Sequence, residues 1–172
     1  MSTATRPPRA DEPRASHAKK PRAAYANEVR LIGGTLKRSK LPVADRPGLR
    51  PTPDRVRETL FNWLGQDLRG WRVLDAFAGS GALGFEAASR GAEHVVLLEN
   101  DGVLVASLQA SAVRLKAGAI RVQRADALAW MAAAAAESFD AVLLDPPFAA
   151  GLLPAATHAA ARSCRLGRWR SP

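Results

Sequence analysis

Cysteine occurs once, at Cys164, histidine only three times, and aromatic residues make up 6% of the chain. A lone cysteine closes no internal disulfide, and this one has no activating residue beside it in sequence, so it is not a nucleophile candidate. The histidines have no partners at metal-ligand spacing, and no metal site is expected. No apolar run approaches the roughly 18 residues that span a bilayer. The N-terminus opens on arginine, proline and aspartate rather than on a signal peptide's apolar stretch. Membrane insertion and secretion are poor starting points, and a monomeric, cytoplasmic protein is the expectation. What the chain does hold is 172 residues with 47% hydrophobic content, enough for the core of one globular domain.

Acidic charge is scarce everywhere except in the middle. Residues 29–72 carry ten basic and four acidic side chains, whereas residues 73–163 carry six and nine, so the net charge of +9 lies outside the central segment. A basic flank beside an acidic centre fits a polyanion surface next to a pocket for something else, because Lys and Arg neutralising phosphate dominate nucleic-acid affinity. Solubility alone is the plainer explanation of the same charge.

Residues 1–28 mix Pro, Arg, Ala, Ser and Lys without period and read as a disordered basic tail. From Val29 a short hairpin arm is expected over 29–52, with Pro42 confining its second strand to an edge and Lys37, Arg38 and Lys40 at its tip. A helix follows. Thr52 is expected to cap it, with Pro53 at the first helical position and Asp54 beside the positive end. Val56, Leu60, Phe61 and Leu64 form its apolar stripe. Arg55 and Arg57, near its start, either grip an anion or are solvated charge. Beyond Trp71 the pattern alternates: strands at 72–76, 94–99, 119–123 and 139–145, with helices between them. That alternation predicts an α/β fold, a parallel sheet with helices on both faces, whose ligands sit at the carboxyl ends of the strands. Leu74, Val96, Leu97, Leu143 and Leu144 read as core, and packing is the default for Trp63, Trp71, Trp130 and Trp169.

The residues with chemistry fall at those strand ends. Gly79-Ser80-Gly81-Ala82-Leu83-Gly84 is a G-x-G-x-x-G between a strand and a helix, and Glu99 closes the next strand, where it could accept hydrogen bonds from ribose hydroxyls. A dinucleotide needs the same turn and the same acid. Asp75 lies directly under the turn, where a carboxylate would repel a pyrophosphate but help seat a cationic sulfonium, which favours S-adenosylmethionine over NAD. Asp145-Pro146-Pro147-Phe148 ends the fourth strand. Two prolines cannot donate backbone hydrogen bonds, so this loop offers acceptors, and acceptors suit an exocyclic amine on which Phe148 would stack. Asp126, after the third strand, could accept from an adenine amino group.

VRLIGG at 29–34, LRPTPDRVRETLFNWL at 49–64, DAFAGSGALG at 75–84 and DPPF at 145–148 together resemble the RsmD-type bacterial 16S rRNA guanine-N2 methyltransferases. The resemblance implies a class I methyltransferase fold, S-adenosylmethionine as donor, and a guanine amine of small-subunit RNA in a partly assembled 30S particle as acceptor. It implies a catalytic motif of Asp145, Pro146, Pro147 and Phe148, and a cofactor pocket of Asp75, Phe77, Gly79, Ser80, Gly81, Glu99 and Asp126. Arg50, Thr52, Asp54 and Arg57 match the family's signature helix, expected to close over cofactor and target base, with Thr52 on the cofactor and Lys37, Arg38, Lys40, Arg50 and Arg57 toward RNA. The methyltransferase domain is expected over 53–161, followed by an aberrant basic ending at 162–172 that reads as a frameshift or premature stop. Without the family's last strands, the fourth strand is expected to be an uncovered edge. An adenine amino-methyltransferase, an RNA-binding remnant without activity and a dinucleotide oxidoreductase remain the alternatives.

Overall fold

Apolar runs of three to six residues, separated by helical segments, build a parallel sheet in this protein. A computed structural model describes residues 27–147 and 151–165. Its sheet contains β3 (Arg72–Asp75), β4 (His94–Glu99), β5 (Ile120–Arg124) and β6 (Ala141–Leu143) in the order β5-β4-β3-β6, every pair parallel. The crossovers are α2 (Ala82–Ser89) after β3, α3 (Gly102–Arg114) after β4 and α4 (Ala127–Ala133) after β5, and α5 (Leu153–Ser163) follows β6. Ahead of them, β1 (Asn27–Arg30) and β2 (Lys40–Val43) form an antiparallel hairpin, and α1 (Asp54–Leu64) leads into β3.

Successive strand residues face opposite sides of a sheet, and the core divides accordingly. Val73 and Leu97 face Phe61, Phe85, Leu108 and the hairpin residues Leu31 and Leu41, while their neighbours Leu74 and Leu98 face Met131, Phe139 and Ala156 on α4, α5 and the loop before β6. The hairpin and α1 thus pack on the α2 side of the sheet.

Of the apolar stripe expected on α1, Phe61 is buried and Leu60 and Leu64 pack partly buried against the core, whereas Val56 does not. Arg57 and Phe61 are its buried residues, one helical turn apart, whereas Val56 is 53% and Trp63 69% exposed. With Arg57 on the inward face beside Phe61, Val56 and Trp63 lie in solvent. Thr52 does not cap the helix either: Pro53 holds the cap position and no side chain bonds there. Val96 and Leu144, expected in the core, are half-buried, as are Trp71 and Trp130. Trp169, Phe148 and the expected tail lie outside the described residues, apart from Asn27 and Glu28, which already pair in β1.

Helical structure continues past 161, to Ser163, and Cys164 then makes a parallel bridge to Phe139. The Phe139 amide donates to the Ser163 carbonyl at 3.0 Å, and the Arg165 amide donates to the Phe139 carbonyl at 2.8 Å. The chain therefore returns alongside the segment leading into β6, on the side away from β3.

Candidate active site

All four strands of the sheet point the same way, so the acids at or just beyond their last residues gather along one edge. Asp75 ends β3, Glu99 ends β4, Asp126 follows β5 and Asp145 follows β6. Asp75 is buried. Its Oδ2 accepts the Gly84 amide at 2.9 Å, while Oδ1 is buried without a hydrogen-bond partner among the described residues. Burial pushes this carboxyl up to about 7, and the negative charges of Asp145 and Glu99 push the same way, against the lowering influence of the Gly84 hydrogen bond and the nearby Phe77 amide. The charges acting on Asp75 are thus both carboxylates.

The glycine turn is shaped by that packing. Gly79 and Gly81 have φ of +52° and +80°, values that side chains rarely adopt, and Gly81 sits at the N-cap of α2. Gly84 is needed for another reason: a Cβ there would lie 2.0 Å from Leu97 Cδ2 and 3.1 Å from Asp75 Oδ2. Ser80 is buried within the turn, and Phe77 packs partly buried against the α4 and α5 core.

Glu99 spends both oxygens on backbone. Oε2 accepts the Gly79 amide at 2.9 Å, and Oε1 accepts the amides of Asn100 and Asp101 at 2.8 and 2.9 Å. The acid expected to read ribose hydroxyls therefore also ties the end of β4 to the glycine turn. A carboxylate offers about four lone-pair positions, so capacity for a ligand remains. Asp126 caps α4 by accepting the Ala129 amide at 2.8 Å, a local role that the residue pattern did not disclose.

Asp145 and Thr52 meet across the site. The Thr52 hydroxyl donates to Asp145 Oδ2 at 2.6 Å, so Thr52, expected on the cofactor, is bound to the acid of the Asp-Pro-Pro motif. Pro146 is buried and Pro147 exposed.

Arg57 corrects the RNA-facing expectation. It has no accessible surface, and it donates through Nε to the Thr52 carbonyl at 3.2 Å, through Nη1 to Glu86 at 3.4 Å, and through Nη2 to the Arg30 carbonyl at 2.9 Å and to Asp54 at 2.5 Å. A guanidinium with four of its five N–H groups bonded and no accessible surface organises the interior and presents nothing to RNA. Glu86, which sequence reasoning missed, is equally buried and accepts the Ile32 and Gly33 amides at 2.9 and 2.8 Å and Arg90 Nε at 3.0 Å. The signal was the paired glycines at 33–34: a Cβ on Gly34 would lie 1.8 Å from the Ser89 carbonyl oxygen, the backbone the arm rests on.

Lys37, Arg38 and Arg50 are exposed, whereas Lys40 is paired at 2.6 Å with Glu28 across the hairpin. A cleft of about 610 Å³ lined by Arg72, His94, Trp130 and Phe139 lies at the opposite ends of the strands and contains none of the acids above. Among the described residues no group of His, Cys, Asp and Glu is placed to hold a metal, and no helix is long and apolar enough to cross a membrane.

Comparison with known proteins agrees with this geometry. Residues 29–167 match the family described as Conserved hypothetical protein 95. The chain is 47% identical over 135 residues to the Ribosomal RNA small subunit methyltransferase D of Escherichia coli (strain K12), covering 78% of this chain and 68% of that protein. It superposes on the solved structure of the Escherichia coli protein yhhF with a TM-score of 0.72 at 40% identity, over 82% of this chain and 76% of that one. Precorrin-6y C5,15-methyltransferase from Geobacter metallireducens GS-15 shares the fold at 19% identity, with a TM-score of 0.58 over 71% of this chain and 62% of that one.

Proposed function

Since this chain belongs to the RsmD-type methyltransferase family, we propose that it methylates the exocyclic N2 amine of a guanine in bacterial 16S rRNA, within an assembling 30S particle in the cytoplasm, using S-adenosylmethionine. The observation that carries the donor side is a buried Asp75 whose Oδ1 has no hydrogen-bond partner among the described residues, at an edge of the sheet where Asp145 and Glu99 add negative charge. Such a site favours a cationic ligand and disfavours a pyrophosphate. Bound S-adenosylmethionine supplies a methyl group on a positively charged sulfur together with an ammonium group. Asp75 and the Gly79 to Gly81 backbone would hold it, Asp75 opposite positive charge and the glycines allowing close approach.

The acceptor side follows from Asp145-Pro146-Pro147. An exocyclic base amine conjugates its lone pair into the ring and is a weak nucleophile. Acceptors on its two N–H groups favour a pyramidal nitrogen and aim the lone pair. Asp145 and the carbonyls of the proline loop are such acceptors. S-adenosylmethionine held there would supply the methyl carbon to the aimed lone pair, its sulfur keeping the electron pair of the bond given up. The surplus proton on nitrogen leaves through Asp145 to water. Most of the catalysis is orientation. Phe148 would stack on the base. Lys37, Arg38 and Arg50 are exposed cations suited to rRNA phosphates.

Asp145→Ala should cut methyl transfer to undermodified 30S particles by about 100-fold or more while S-adenosylmethionine still raises the melting temperature. A variant that still methylates overturns the role of Asp145. Digestion of the labelled RNA identifies the nucleoside: N2-methylguanosine supports the proposal, and N6-methyladenosine replaces it with an adenine amino-methyltransferase.

A further inference from the structure

We propose that Thr52 is a positioning residue for Asp145, occupying one carboxylate oxygen and fixing the plane of the group so that the other faces the target amine; this rests on the methyl-transfer reading above. A threonine hydroxyl has a single proton, and at 2.6 Å it is committed to Asp145 Oδ2. Among the described residues Oδ1 accepts nothing, which makes it the oxygen available to an amine N–H.

Thr52 is held well enough to do this. Prolines on both sides, Pro51 and Pro53, restrict its backbone and that of its neighbours. Its carbonyl accepts from Arg57, which Glu86 and Asp54 hold in place. The torsion that turns an aspartate carboxylate about its last bond is soft and broad, so without an external donor the plane of the Asp145 carboxylate would not be held at one angle. Thr52 supplies that donor from a segment 93 residues away in sequence, and it also links the start of α1 to the loop after β6.

The position of Thr52 within the family's signature segment would also be explained by direct contact with the donor. Kinetics separate the two roles. Thr52→Val keeps the size and branching of the side chain and removes the proton, and Thr52→Ser keeps the proton. Thr52→Val is expected to lower kcat by about 10- to 100-fold, because misplacing a reacting group by about 1 Å costs up to about 100-fold. The dissociation constant for S-adenosylmethionine, measured by calorimetry, and the KM for 30S particles are expected to stay within about twofold. Thr52→Ser is expected to recover kcat to within about threefold of wild type. Full kcat in Thr52→Val overturns the proposal. So does a fall in kcat matched by weaker donor binding, which would make Thr52 a cofactor contact. Failure of Thr52→Ser to recover kcat, with both variants melting lower, would make the role structural and overturn it too. A wild-type chain that binds donor and methylates no RNA overturns the methyl-transfer reading itself.

Discussion

The guanidinium of Arg57 on α1 and the carboxylate of Glu86 on α2 are both without accessible surface, and Nη1 donates to Oε2 at 3.4 Å. The same carboxylate receives the two arm amides and Arg90, so one acid joins the hairpin, α1 and α2. Removing one member of a buried pair leaves the other charge uncompensated, at about 3–5 kcal/mol. Arg57→Met is expected to reduce the unfolding free energy by about that amount in urea titrations, and a variant as stable as wild type would show that the pair contributes nothing net.

Arg57 also marks the limit of what the pattern of residues discloses. Strands β3 to β6 and the helices between them were legible, because short apolar runs bounded by glycine, aspartate and proline have few other structures available. The ends of β4 coincide with the expected ones, and those of β3 and β5 differ by a residue. The face of α1 carrying Leu60, Phe61 and Leu64 was legible too, but that Arg57 lies buried beside Phe61 was not. A buried arginine depends on Glu86, distant in sequence, and no helical periodicity announces such a partner. Thr52 is similar: its type and its place before Pro-Asp fit a cap, but the cap position falls one residue later, at Pro53, and the Thr52 hydroxyl donates to an acid 93 residues on. The acids at the strand ends were legible as a set. That Glu99 and Asp126 also bind backbone amides required the turns to be seen.

Asp75 makes the protein pH-sensitive in a stated direction. Its carboxyl titrates at about 7 in the folded chain against 3.8 ordinarily, so between those values the folded form keeps a proton that the unfolded form has lost. Stability without donor is therefore full below about pH 4, falls between there and about pH 7 by an amount on the order of 4 kcal/mol, and levels off above it. Melting curves from pH 5 to 8 should show this decline in wild type and a flatter profile in Asp75→Asn. An equally steep profile in the variant would place the titrating group elsewhere.

Donor affinity should move the other way. A cationic ligand selects the ionised Asp75, so binding is expected to tighten as pH rises from 6 to 8 and to release protons near neutrality. Calorimetry in buffers of different ionisation enthalpy measures that release, and buffer-independent heats would argue against contact between the ligand's charge and Asp75.

Gly84→Ala tests the floor of the glycine turn. The added methyl meets Leu97, which is itself fully buried, and crowds the Asp75 carboxylate. Overpacking of this kind costs about 1–3 kcal/mol. Stability is expected to fall by that amount and donor affinity with it, whereas Gly118→Ala, with nothing within 4 Å of the new Cβ, serves as the control.

Exposed cations on the arm should act through salt. Replacing Lys37 and Arg38 with alanine is expected to weaken RNA binding and to reduce the slope of log affinity against log salt by about 0.7–0.9 for each phosphate no longer neutralised. An unchanged slope, measured by filter binding across salt concentrations, would remove the arm from the RNA interface.

The order of pairing in the sheet sets a timetable for synthesis. The Gly79 amide and Glu99 are 20 residues apart, so the donor turn can close early, whereas the amide of Arg72 waits for Asp140, 68 residues later, and Thr52 waits still longer for Asp145. At about 5–20 residues per second, the ribosome delivers the acceptor loop several seconds after the donor turn. Throughout that interval β3, the strand at the centre of the active edge, has one side unpaired. A pause in translation between the two would prolong the time during which a half-built sheet offers a free strand to neighbouring chains.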